Sequence, residues 1–153
     1  MKSLYDSVSY DLSKHLTKSY STSFSLGIRF LGEELRNPIY AIYGFVRLAD
    51  EIVDTFHEFD KPILLQRFKE DTYTAIEEGI SLNPVLNSFQ RVVNQYNIEK
   101  ELIDTFLHSM EMDLGFTEYD RNQFDTYVLG SAEVVGLMCL RVFCEGKEDY
   151  YQE

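Results

Sequence analysis

Between Ala41 and Asp54 the chain reads Ala-Ile-Tyr-Gly-Phe-Val-Arg-Leu-Ala-Asp-Glu-Ile-Val-Asp, and no other stretch constrains the fold as much. Wound as a helix at about 100° per residue, it gathers Tyr43, Arg47, Asp50 and Asp54 into one arc of roughly 60°. Ala41, Ile42, Phe45, Val46, Leu48, Ala49, Ile52 and Val53 fill the remaining circumference, with Glu51 alone standing off the polar stripe. A helix so nearly apolar all round belongs in an interior, where charges are not kept without compensation. Arg47 brings one positive charge against two carboxylates, so a further cation is expected beside Asp50 and Asp54.

The rest of the chain also reads as helical. Leu4, Val8, Leu12 and Leu16 recur at helical spacing and predict a first helix over about 3–20. Hydroxyls at Tyr20-Ser21-Thr22-Ser23 favour a helix end. Asn37-Pro38 predicts the start of the key helix, running to about Thr55. Further helices are expected at about 61–79, opened by Asp60-Lys61-Pro62, at 84–96 after Asn83, at 99–114 before Gly115, and at 122–143. The last contains Val134-Val135-Gly136-Leu137-Met138-Cys139-Leu140, apolar on every side and too short to span a bilayer, which marks it as core. No strand alternation, hairpin or repeat emerges, so the fold class is all-α.

At 153 residues the chain suits one domain. Its 26 acidic against 14 basic residues, a net charge of -12, argue against nucleic acid as a partner and against simple electrostatic docking on an anionic membrane. Cys139 and Cys144 are placed too far apart along and around a helix to bridge and read as reduced thiols. With no apolar leader segment near Met1, a cytoplasmic location is expected. His15, His57 and His108 show no ligand spacing, so zinc is not expected.

Asp50 and Asp54 form a D-x-x-x-D pattern whose carboxylates, one turn apart, can each give an oxygen to Mg²⁺. An exposed ion pair with Arg47 has the same spacing, and the apolar setting leaves the two evenly matched. Asp113 falls within the apolar arc of Leu102, Ile103, Phe106 and Met110, although it also suits a solvated last turn. Ser21 and Ser23 are either phosphate donors or a capping cluster. Glu133, with Gly130 and Gly136 either side, reads as a buried acid in a closely packed helix that needs an ionic partner.

Taken in order, Ser21-Thr22-Ser23-Phe24, Ala41-Ile42-Tyr43, Arg47 with Asp50 and Asp54, Met110-Glu111-Met112-Asp113-Leu114 and Gly130-Ser131-Ala132-Glu133-Val134-Val135-Gly136 closely resemble the N-terminal half of the squalene and phytoene synthase family, especially its bacterial carotenoid branch. The resemblance implies an isoprenoid-synthase-type helical bundle that joins two prenyl diphosphates head to head, with geranylgeranyl diphosphate giving phytoene in that branch. It implies Mg²⁺ at Asp50 and Asp54, catalytic roles for those two with Arg47 and Tyr43, and substrate contacts from Tyr20, Ser21, Thr22, Ser23, Tyr43 and Arg47. Glu51 stands where Asp is common in the family, and Leu129 and Glu133 where many members have Tyr and Gly. The family carries a second acidic motif that residues 1–153 lack, so the chain is expected to be the N-terminal part of one domain, apparently truncated and inactive alone. Peripheral contact with a membrane is compatible with lipid products, though no anchor is visible. The rival expectation is a non-catalytic relative serving as an assembly or lipid-binding module.

Overall fold

Two of the three proline-marked starts open helices in the computed structural model. Asp60 accepts a hydrogen bond from the Ile63 N–H at 3.3 Å with Pro62 in the first turn. Asn83 accepts from the N–H groups of Val85 at 3.0 Å and Leu86 at 3.3 Å, ahead of Pro84. Each cap places an oxygen on amide hydrogens that a first turn leaves without intrahelical partners. The structure describes residues 1–21, 27–29, 31–115 and 129–144. They form α1 (Lys2–Tyr20), α2 (Glu33–Asp54), α3 (Lys61–Glu78), α4 (Pro84–Tyr96), α5 (Lys100–Gly115) and, after a π-helical turn at Leu129–Glu133, α6 (Val134–Phe143). Among the described residues there is no strand, as the all-α expectation requires, and no helix long and apolar enough to cross a membrane.

Asn37-Pro38 is the exception. The key helix α2 starts at Glu33 after Gly32, and Pro38 lies inside it. Glu33 and Glu34 put negative charge at the positive end of the helix dipole. Arg36 ties down the preceding turn by donating to the carbonyls of Leu31 at 3.0 Å and Arg29 at 3.1 Å. Against these, Pro38, at the sixth position of α2, forfeits one backbone hydrogen bond and crowds the carbonyl one turn back, the ordinary cost of a proline past the first turn.

α2 is the centre of the bundle, as its composition foretold. Phe45 is wholly buried and stacks on Phe89 of α4 with ring centroids 3.8 Å apart, with Phe68 of α3 at 5.2 Å and Phe106 of α5 at 5.5 Å. Ala41, Ile42, Ala49, Ile52 and Val53 are buried beside it. One aromatic side chain therefore joins four helices.

α1 turns its polar side inward, against the usual rule for apolar residues at helical spacing. Leu4, Val8 and Leu12 are exposed and Leu16 is half-buried, whereas Asp6, Ser9, Ser13 and Thr17 face the interior. Small hydroxyl side chains let the helix approach α2 and α4 closely, and each polar atom is satisfied. Ser9 and Thr17 donate to carbonyls one turn back at 2.8 and 2.9 Å, and the hydroxyls of Ser13 and Ser88 share a hydrogen bond at 2.6 Å. Asp6 accepts from Asn87 at 2.9 Å and from Arg91 at 2.7 Å. Burial opposes the Asp6 charge, but the bonds from Asn87 and Lys2 and the positive charge of Arg91 hold its carboxyl below the usual carboxylate range. Burying polar groups costs little when every one has a partner.

α6 is only half buried. Val134, Val135, Met138 and Val142 face the bundle, while Leu137, Leu140 and Phe143 stand in solvent, so the run is not core on every side. Glu133 is exposed as well. An exposed Glu133 keeps its carboxylate in contact with solvent and so needs no buried ionic partner. Nor does Gly136 mark close packing, since a Cβ there would meet nothing within 4 Å.

The close approach lies at Gly44 instead. A Cβ on Gly44 would come within 3.0 Å of Ser13 Cβ and 3.2 Å of Ser13 Cα, the latter backbone that cannot rotate away. Gly44→Ala therefore sets an overpacking cost of about 1–3 kcal/mol against a helix-propensity gain of about 1 kcal/mol. The expected net is a loss of about 1 kcal/mol, read as a lower urea midpoint with unchanged m-value.

Candidate functional site

The face of α2 opposite Phe45 carries the stripe. Arg47 donates to Asp50 Oδ2 at 3.4 Å and to Glu51 Oε1 at 3.1 Å, and its guanidinium lies 4.7 Å from the centroid of the Tyr20 ring at the end of α1. Burial, and then the nearby Glu51 carboxylate, raise the pKa of the Tyr20 hydroxyl. Arg47, Asp50 and Tyr43 are half-buried and Asp54 is exposed, so the stripe sits at a boundary with solvent and not deep in the interior. Arg47 Nε is nonetheless buried, with no hydrogen-bond partner among the described residues. The guanidinium thus carries one donor more than its surroundings satisfy.

Asp113 of α5 lies near enough to Asp54 to act on it electrostatically, which places it beside the stripe: burial and then the negative charge of Asp113 raise the pKa of Asp54. At Asp50, burial leads, and the negative charges of Asp54, Asp113 and Glu51 add to it. Arg47 opposes them, and the carboxyl is held up at about 6. Lys61, whose ammonium donates to the Val53 carbonyl at 2.7 Å, is a second cation at this end of α2.

Tyr43 connects the stripe to an apolar cavity of about 440 Å³, lined also by Ile28, Leu31, Ile39, Gly136, Cys139 and Phe143. Burial pushes the Tyr43 hydroxyl up to about 12 and the Cys139 thiol to about 12, so both stay protonated. Asp50, Asp54 and Arg47 do not line this cavity. Ser21 is half-buried as the residue after α1, its N–H bonded to the Thr17 carbonyl at 2.9 Å. Thr22 and Ser23 lie outside the described residues.

The structure thus brings Tyr20, Arg47, Asp50, Glu51, Asp54 and Asp113 together. Glu51 was set aside by helical counting because its Cα is off the stripe, yet its longer side chain reaches Arg47. The only sequence signal for it was the i, i+4 spacing of Arg47 and Glu51. Among the described residues, no three His, Cys, Asp or Glu side chains converge closely enough to hold a metal ion by themselves. The donor set is nonetheless all carboxylate oxygen, and burial with neighbouring negative charge raises the proton affinity of Asp50 and Asp54. That suits a hard divalent cation that retains waters and takes further ligands from a phosphate.

A family model described as squalene/phytoene synthase matches residues 17–152. The chain is 26% identical over 142 residues to a phytoene synthase of Arthrospira platensis, covering 92% of this chain and 46% of that one. It is 25% identical over 132 residues to a presqualene diphosphate synthase of Rhodopseudomonas palustris, covering 84% and 47%. It therefore spans about half the length of the curated relatives it matches. In fold it resembles the crystal structure of squalene synthase HpnC from Alicyclobacillus acidocaldarius, with a TM-score of 0.81, 23% identity and coverage of 94% and 54%.

The raised carboxyl of Asp50 has a consequence for stability. A carboxyl whose pKa is higher folded than unfolded stabilises the fold when protonated, below about pH 4, and that contribution is lost as pH rises through about 6. Asp50→Asn removes the penalty. The variant should unfold about 2–4 °C above the parent at pH 8 and near the parent at pH 4, as followed by circular dichroism. A variant less stable at both pH values would contradict the assigned cause.

Proposed function

The chain belongs to the squalene/phytoene synthase family, and from that premise we propose that it carries the diphosphate-gripping part of a head-to-head prenyl transferase. The observation that carries this reading is the knot of Arg47, Asp50 and Glu51 beneath Tyr20, next to the Asp54–Asp113 pair and joined through Tyr43 to an apolar cavity. A prenyl diphosphate is a multiply charged anionic head on a hydrocarbon chain, and the site divides along the same line. Arg47 offers the head a planar cation with an unsatisfied donor. Tyr43, protonated at any physiological pH, can donate a hydrogen bond at the point where head gives way to chain. The cavity walls exclude water from the chain and from any cation formed on it.

Asp50 and Asp54, with Asp113 beside them, are the residues that would hold Mg²⁺. When bound, the ion would neutralise the departing pyrophosphate. The protein's own part is to keep these carboxylates crowded, so that a cation relieves their repulsion, and to hold Arg47 in place before substrate arrives. Geranylgeranyl diphosphate as substrate, phytoene as product and carotenoid synthesis as the pathway are the finer proposal, drawn from the resemblance. A second reading, a non-catalytic assembly or lipid-binding module, is favoured by one observation: no three metal-ligating side chains converge among the described residues.

Titration calorimetry of the whole chain with a non-hydrolysable farnesyl thiodiphosphate distinguishes them. Binding should tighten when Mg²⁺ is added. Asp50→Asn or Asp54→Asn should remove most of that increment, roughly tenfold in affinity or about 1.4 kcal/mol. Arg47→Ala should weaken binding with or without metal, and Asp71→Asn, an exposed acid on α3, should change nothing. Binding indifferent to Mg²⁺ and to both aspartates would remove the metal role and leave the module reading standing.

A further inference from the structure

A second cavity, of about 290 Å³, opens between α3, α4 and α5 and shares no residue with the stripe or with the cavity at Tyr43. Its floor is aliphatic. Val93 of α4, Ile98 of the connecting turn and Ile103 of α5 are buried, and Ile76 of α3 is half-buried beside them. The turn itself is held in place. Asn97 takes the left-handed conformation at φ 56°, and the Ile98 N–H bonds back to the Val93 carbonyl at 3.2 Å, a Schellman reversal that leaves no slack loop to fill the hollow. Tyr73 of α3 supplies the one aromatic wall. Its hydroxyl donates to Asp104 of α5, and the Lys100 ammonium lies 5.3 Å from its ring centroid.

Two opposite charges border this hollow, and the fold employs neither. Glu77 of α3 and Lys100 of α5 both line the cavity and are both exposed. Among the described residues, neither has a hydrogen bond or an ion pair. Glu99 is committed to Arg141 of α6, and Asp104 to Tyr73. The dipole of α5 opposes a positive charge at its first residue, and the face of Tyr73 is what offsets that. Local stability therefore does not account for a cation at the mouth of an aliphatic hollow, facing a carboxylate-bearing helix.

We propose that this cavity binds a free α-amino acid with a large apolar side chain, leucine or phenylalanine in kind. Lys100 meets its carboxylate and Glu77 its ammonium group, while its side chain covers Ile98 and Ile103 against the Tyr73 ring. An apolar acid without the amino group would set a like charge before Glu77, and an apolar amine would do the same before Lys100. A peptide terminus brings only one of the two charges. Size agrees with the charge pattern. At about 30 Å³ for each water-sized atom, the hollow takes roughly ten non-hydrogen atoms, which matches such an amino acid and is too little for a nucleotide or a long lipid chain. The inference does not rest on the diphosphate reading, since none of these residues belongs to α2 or to the cavity at Tyr43.

Methyl NMR of the whole chain tests it, with L-phenylalanine as the probe and neither metal nor diphosphate present. Phenylalanine should shift the Ile76, Ile98 and Ile103 methyl resonances with a Kd of roughly 0.1–1 mM, the range open to so small a ligand. Phenylalaninamide, which lacks the carboxylate, and N-acetylphenylalanine, which lacks the ammonium group, should each bind roughly tenfold more weakly. Two substitutions then assign the ends. Lys100→Gln should erase the difference between phenylalanine and its amide, and Glu77→Gln the difference between phenylalanine and its N-acetyl form. Both side chains are exposed, so the fold is spared, and a general defect would weaken all three probes alike. No shift at roughly ten times the expected Kd overturns the proposal. Equal affinity for the three probes does so too, by reducing the site to an apolar hollow, as does discrimination that survives both substitutions.

Discussion

The ring of Phe45 fixes how α2 is rotated, and through it where everything polar on that helix points. Stacked parallel on Phe89 at 3.8 Å and flanked by Phe68 and Phe106, it cannot turn without breaking contacts to three other helices. Each such pair contributes about 0.5–1.5 kcal/mol beyond its burial. At about 100° per residue, Asp54 lies half a revolution from Phe45, with Tyr43, Arg47 and Asp50 within roughly 40° of the same bearing. Aromatic packing on one side thus sets the aim of the charged groups on the other, with no loop between them to blur it.

That rigidity is what makes crowded acids tolerable. Free to move, Asp54 and Asp113 would separate and solvate; held on two packed helices, they stay close enough for the charge of Asp113 to raise the pKa of Asp54. Asp50 is affected in the same way and titrates near 6. The site is less stable than it would be with an amide in place of a carboxylate, and such a local deficit is what binding a cation relieves. Arg47 offsets part of the deficit, but it is itself divided between Asp50 and Glu51.

Much of this was legible from residues alone. Asp60 and Asn83 announced their helices because a cap and a proline act locally, within one turn. The centrality of α2 followed from a helix with almost no polar surface. What escaped were features decided between helices. Leucine periodicity on α1 satisfied the usual rule for a buried face, while the competing fact, that Ser13 fits only where Gly44 and Ser88 leave room, belongs to three separate segments. Asp113 finds Asp54 across a helix interface, and Glu51 reaches Arg47 by side-chain length; spacing along one helix encodes neither. The exposed Glu133 was misjudged because its flanking glycine was read as a mark of close packing, and Gly136 faces open space. Pro38 was over-read, since a proline signal permits a helix start without requiring one.

The contact of Ser13 with Gly44 and Ser88 bears on how such a chain can vary over time. Three positions, one on each of α1, α2 and α4, share a space with no slack, and a hydroxyl pair bridges two of them. An added methyl at Gly44 must be answered by a displaced helix, and losing the Ser88 hydroxyl strands that of Ser13, while Ser88 itself keeps the Val85 carbonyl at 3.0 Å. Lineages that carry this bundle can therefore explore those sites only as a set, so Ser13, Gly44 and Ser88 should drift in concert while the leucines a turn away change singly.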